Sequence, residues 1–278
     1  MKPSLIIIKQ IAGYLLFLIA IVYALSKTPS EIWNLNPLWV IPAILLTLIS
    51  LFIQVLQLKI FIDFHKKSID WKWAILFTVR KAILNTFLPA KSGTLVLLHT
   101  LTEKYNVSWK DYVHFMIFSS LVTLFISFIF SLLFFIRIEL IFIVIIFIFL
   151  ISIIFSKKYS FSYIMCLPSI FLYAFILYFI FLGILWCILI SLGYNITFID
   201  ASLFAIAVNA LSQISVTPGN LGVRETLLGA LAPYIALPVS VGILAGAILF
   251  AFRIIASAVL LAILEGKLHF GRTNPDAN

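Results

Sequence analysis

Val216-Thr-Pro-Gly-Asn-Leu-Gly-Val-Arg-Glu225 decides how the chain folds, because it sets helix breakers and an adjacent acid-base pair between two long apolar stretches. Proline removes a backbone donor and glycine loosens the backbone, so a regular helix does not run through this segment. Its surroundings are oily: 64% of the 278 residues are hydrophobic, 10% are charged, and mean hydropathy is +1.21. A water-soluble domain does not carry that balance. The apolar runs are long and continuous, whereas the strands of a membrane barrel alternate at period two, so the chain reads as an all-α polytopic membrane protein.

Six segments are long enough to cross a hydrocarbon core: Leu5–Leu25, Leu38–Ile62, Tyr112–Ile136, Leu140–Phe155, Tyr163–Leu192 and Val239–Leu264. The first is too long for a signal peptide and lacks a small-residue cleavage site, so it reads as a retained span. Trp71–Leu101 and Phe198–Leu237 are apolar but interrupted by Pro, Gly and polar residues. Each predicts a pair of half-helices around an unwound tip, entering and leaving the membrane by the same face.

Charge placement supports that re-entrant reading. With a cytoplasmic N-terminus, the inner side receives Lys2, Lys9, Lys59, Lys66, Lys67, Lys72, Lys104, Lys110, Lys157, Lys158, Lys267 and Arg272. The outer side receives only Lys27 and Arg137. Twelve against two is the asymmetry that the positive-inside rule requires, and full crossings at Trp71–Leu88 would destroy it. Both termini are then expected on the cytoplasmic side of a bacterial inner membrane. Three spans and a hairpin are followed by three spans and a hairpin, and an odd number of spans inverts the second half. Residues 1–278 therefore read as a single transmembrane domain made of an inverted repeat, 1–137 with hairpin 71–101 and 138–278 with hairpin 198–237. Pro89-Ala-Lys-Ser-Gly93 and Pro218-Gly-Asn-Leu-Gly222 stand at matching places in the two halves.

Backbone that leaves the helix within a bilayer needs partners from protein, water or ligand, so the two tips are expected to line a cavity. Gly219 and Gly222 permit close approach, and the first turn after them presents N–H groups that attract anions. Ser92-Gly93-Thr94 is expected to do the same from the first hairpin. Asn85, Asn209, Gln213, Ser215, Thr217 and Asn220 add uncharged polar groups. At membrane depth Arg80, Lys81, Lys91, Arg224 and Arg253 face a single acid, Glu225, leaving four positive charges over. Each costs about 3 kcal/mol at the bilayer centre when unpaired, which implies an anionic visitor. The candidate set for a lipid phosphate or headgroup is Arg224, Glu225, Arg253, Gly219, Asn220, Gly222, Thr217, Arg80, Lys91, Asn85 and Ser92. Competing readings stay open: Arg80 and Lys81 snorkel to the surface, and Glu225 caps its own helix as part of a structural clamp. Gly242 and Gly246 read as a helix-packing pair.

No catalytic residue, metal site or cofactor is expected. Cys166 and Cys187 lie in apolar segments, the four histidines have no ligand spacing, and no Walker loop, H-E-x-x-H, C-x-x-C or G-x-S-x-G occurs. The formal charge of +9 sits in short clusters between spans, which argues against nucleic acid as a partner.

Asn85-Thr-Phe-Leu-Pro-Ala-Lys-Ser-Gly93 and Thr217-Pro-Gly-Asn-Leu-Gly-Val-Arg-Glu225, together with the six-span pattern, resemble the flippase-like transmembrane region of the lysylphosphatidylglycerol synthase family. The family pattern at the second motif is T-P-G-G-L-G-x-x-E, from which Asn220 departs. At the first, Thr94, Leu97 and Leu98 stand where acidic and basic residues are usual. The resemblance implies translocation of an aminoacylated or other anionic phospholipid between leaflets, with a separate lipid-modifying synthase as a possible partner. Two alternatives remain: a membrane-embedded transferase acting on a lipid-linked phosphate, and a non-transporting scaffold for such a synthase.

Overall fold

Helices start and stop where side chains satisfy their free ends. The computed structural model describes residues 3–27, 35–65, 67–88, 92–135, 167–213 and 217–270. Nine α-helices occur among them: α1 (Pro3–Lys27), α2 (Pro37–Phe64), α3 (Trp71–Phe87), α4 (Ser92–Tyr105), α5 (Trp109–Phe135), α6 (Leu167–Ser191), α7 (Phe198–Gln213), α8 (Val223–Leu231) and α9 (Val239–Phe270). Among the described residues there is no strand. Asn36 caps α2 by accepting the Leu38 amide at 3.0 Å, and Asp70 caps α3 through the Lys72 amide at 3.1 Å. Thr197 and Asp200 form a reciprocal capping box on α7, each side chain accepting the other's backbone N–H. Helix α3 ends at Leu88, which is extended at φ −106° and ψ 148° as a residue before proline must be.

Four helical stretches are long and apolar enough to cross a membrane: Pro37–Phe64, Trp109–Ile129, Pro168–Ser191 and Val239–Glu265. They coincide with four of the six expected spans. Leu5–Leu25 falls within α1, whose described apolar stretch, Tyr14–Lys27, is shorter. Leu140–Phe155 lies outside the described residues. The two interrupted regions are broken near the expected tips. The first is divided into α3 and α4, and the second into α7, a 3-10 turn at Pro218–Asn220, α8 and a second 3-10 turn at Ala232–Ile235.

Helix α6 is the central post. It packs along α2 and touches α5, α7 and α9, burying Leu182, Leu185, Ile188 and Leu189 completely. Around it the remaining helices expose broad apolar faces, among them Leu38, Ile41, Leu45, Ile49 and Phe52 on α2. Such surfaces are stable in lipid and not in water.

The tightest seam joins α8 to α9. A methyl group on Gly242 would lie 2.3 Å from the Leu228 carbonyl oxygen, and one on Gly246 would lie 3.2 Å from Cα of Glu225. The glycine pair thus serves packing within the chain, as the sequence reading expects. Gly242→Val should separate α8 from α9 and cost about 1–3 kcal/mol, as overpacking of a close-packed seam does. A lower melting temperature in detergent, with wild-type helicity before the transition, checks it.

Candidate functional site

The break between α7 and α8 satisfies itself. Thr217 Oγ1 donates to the Leu221 carbonyl at 2.8 Å, and Asn220 Nδ2 donates to the Leu211 carbonyl of α7 at 2.7 Å. Gly219, Asn220 and Gly222 adopt φ of +57°, +55° and +77°. Glycine takes that region freely and asparagine is the side-chain-bearing residue that enters it most readily, so Asn220 fits where the family pattern has glycine. Glu225 Oε2 accepts the Gly222 amide at 2.7 Å, and Thr226 Oγ1 donates to the Gly222 carbonyl at 2.6 Å. The glutamate therefore caps its own helix. The Gly222 N–H is thereby taken.

Arg224 lies against the same break. Its Nη2 donates to the Gly219 carbonyl at 2.6 Å, and the residue is buried. It forms no ion pair with Glu225, whose Oε1 is buried without a hydrogen-bond partner. Arg253, half-buried on α9, has neither an ion-pair nor a hydrogen-bond partner among the described residues. Two guanidinium groups thus belong to the two sides of one seam, Arg224 on α8 held by a carbonyl and Arg253 on α9.

The first hairpin reaches this place through its backbone. A methyl on Gly219 would lie 2.9 Å from the Thr86 carbonyl oxygen and 3.5 Å from the Phe250 ring. Tyr14 of α1 donates to the Phe87 carbonyl at 3.3 Å, and Phe17 packs on Phe250 with ring centroids 5.9 Å apart. The tip of the second hairpin, the end of α3, and helices α1 and α9 therefore converge.

The other expected residues divide. Asn85 and Thr94 satisfy each other, with Nδ2 donating to Oγ1 at 3.1 Å and the Thr94 amide donating to Oδ1 at 3.2 Å. Gly93 is pressed against α3, where an added methyl would lie 2.4 Å from the Lys81 carbonyl oxygen. The first hairpin thus spends its Asn85 and Thr94 groups on each other. Arg80 pairs with Glu265 near the end of α9 at 2.8 Å, both side chains being partly exposed. Lys81 makes a contact of its own. Asn209 bonds Ser127 of α5 at 3.1 Å. Lys91, Ser215 and the side chains of Ser92 and Gln213 lie outside what is described. Sequence reasoning missed Glu265 because it stands one residue beyond the expected end of the last span. It missed Thr86 and Phe87 because their part is played by backbone carbonyls, which leave no mark in residue type.

The lysylphosphatidylglycerol synthase transmembrane-region family model matches residues 10–158, more than half of the chain. The chain belongs to that family. The matched stretch carries the first hairpin, while the break at Thr217–Glu225 follows it. No curated protein and no solved structure matches the chain. Family membership and the apolar helices together make this a multi-pass membrane protein with a lipid-related role.

Replacing Asn220 separates its two contributions. Asn220→Gly keeps the left-handed turn and loses only the bond to Leu211, whereas Asn220→Ala also adds the strain of a positive φ, about 1–2 kcal/mol. The alanine variant should melt measurably below the glycine variant in the same detergent.

Proposed function

We propose that this lysylphosphatidylglycerol synthase-family protein translocates a phosphate-bearing lipid, anionic or aminoacylated, between membrane leaflets, binding its phosphate at Arg224 and Arg253. The observation that carries this reading is the Arg253 guanidinium, without a partner among the described residues, on the helix whose glycines hold it against α8 and Arg224. A cation at membrane depth without a counter-charge is costly, and a phosphate accepts two guanidinium forks at once. The lipid's acyl chains would remain among the apolar helix faces while its headgroup visits the polar place between them.

The same reading includes a topology. Six spans and two re-entrant hairpins in one domain, 1–137 inverted against 138–278, put both termini on the cytoplasmic side of the inner membrane. Two lines support it: the twelve-against-two distribution of basic residues, and the contact of Gly219 with Thr86, which brings the two interrupted regions together. Rocking of one half against the other about that contact would expose the arginine pair to each leaflet in turn.

Arg253→Ala and Arg224→Ala should each slow translocation of acyl-labelled phosphatidylglycerol in proteoliposomes at least about tenfold, the loss of a charge-assisted contact of ~1.5–3 kcal/mol. Arg253→Lys should retain part of the rate. Unchanged translocation in both alanine variants, at equal protein content, would remove the site.

A further inference from the structure

Glu225 is the only fully buried acid among the described residues, at 0% exposure, and its two oxygens are in different situations. Oε2 is committed to the Gly222 amide, while Oε1 has no donor. A carboxylate oxygen closed off from water requires a donor, and leaving it bare is among the costlier arrangements a protein can hold. Arg224, its neighbour in sequence, turns instead to the Gly219 carbonyl. We propose that Oε1 of Glu225 is the site of a coupling proton, taken up when a phosphate-bearing lipid occupies Arg224 and Arg253 and released when the lipid leaves. This rests on the translocation reading above and names what drives it.

The coupling follows from the charges around the carboxylate. Helix α8 packs against α9, α7, α1 and the 3-10 turn after it. The ionisable groups described on those elements are Arg253 and the paired Glu265 on α9, Asp200 tied to Thr197 on α7, Tyr14, Tyr23 and Lys27 on α1, and the exposed Tyr234 in the turn. Burial disfavours the ionised carboxylate, and the neighbouring charge of Arg224 offsets part of that cost. A phosphate at the arginine pair cancels that field, and the proton then finds Oε1 free. The step forms one O–H bond with a proton from water, while Oε2 keeps the Gly222 amide. Reciprocity follows: if bound phosphate favours the proton, the proton favours phosphate by the same factor, so lipid binding strengthens as pH falls. One negative headgroup and one proton together leave the net charge of the site unchanged during the crossing.

The test uses phosphatidylcholine vesicles containing the full chain and a trace of acyl-labelled phosphatidylglycerol, with leaflet distribution read by a membrane-impermeant reductant. With about one unit of pH difference imposed, wild-type protein should accumulate the label about tenfold in the leaflet facing the alkaline side, as one proton per lipid requires. A protonophore should abolish the asymmetry. Glu225→Gln keeps an amide oxygen for the Gly222 cap but cannot cycle a proton, so its label should end evenly distributed. Wild-type translocation faster than in protein-free vesicles, yet with even distribution under the gradient, overturns the proton site and leaves the translocation reading standing. A wild-type shift in Glu225→Gln does the same. No translocation above protein-free vesicles overturns both. Should the glutamine variant fail to fold, proton uptake by wild-type protein in detergent decides: about one proton per added phosphatidylglycerol supports the proposal, and none overturns it.

Discussion

The bond from the Gly222 amide to Glu225 Oε2 is the contact on which the second half of the molecule depends. A helix interrupted within lipid exposes backbone groups that no solvent reaches, so the interruption is stable only if the chain supplies every partner. Thr217, Asn220, Arg224 and Glu225 supply four such partners within nine residues, each bonding a different backbone group of the break or of the helix before it. The same turn sets the Gly219 carbonyl against Arg224 and the Gly219 backbone against Thr86.

Glycine sets the distances of the two interrupted regions differently. In the second, Gly242 and Gly246 let α9, which carries Arg253, approach α8, which carries Arg224, to backbone contact. In the first, Gly93 lets α4 approach α3, and the Asn85–Thr94 pair closes the polar groups nearest the contact. The regions share a P-x-x-x-G pattern and a broken helix, yet one of them holds its polar side chains closed while the other carries the arginine pair. A similarity of sequence that specifies backbone shape does not by itself specify which side chains remain open to a ligand.

That difference explains what was legible in the sequence. Helix class, four spans and the location of both breaks follow from apolar run length and from Pro and Gly, signals that act locally. Pairing between distant elements left weaker traces. Arg80 counted as an unbalanced charge because Glu265, 185 positions away, lies at the edge of the last apolar run. Glu225 had two readings, a contact for the headgroup site or a cap of its own helix within a structural clamp, and the spacing Gly222 to Glu225 allowed the cap without requiring it. The geometry shows the cap, formed with the Gly222 amide. Thr86, Phe87 and Tyr14 enter through carbonyls and a hydroxyl whose roles depend on chain path, which residue type does not encode.

The choice of partner for Arg224 bears on what the place can bind. A carboxylate would have fixed the guanidinium and neutralised it together, so an arriving anion would have met a closed ion pair. The Gly219 carbonyl fixes it through a dipole, so the guanidinium is not closed into an ion pair with Glu225. Arg253, with no partner among the described residues, adds a second charge on α9, the helix that glycine contacts anchor to α8. An anion with several oxygens would gain from both guanidinium forks simultaneously. Such a double fork is what the proposed translocation of a phosphate-bearing lipid calls for.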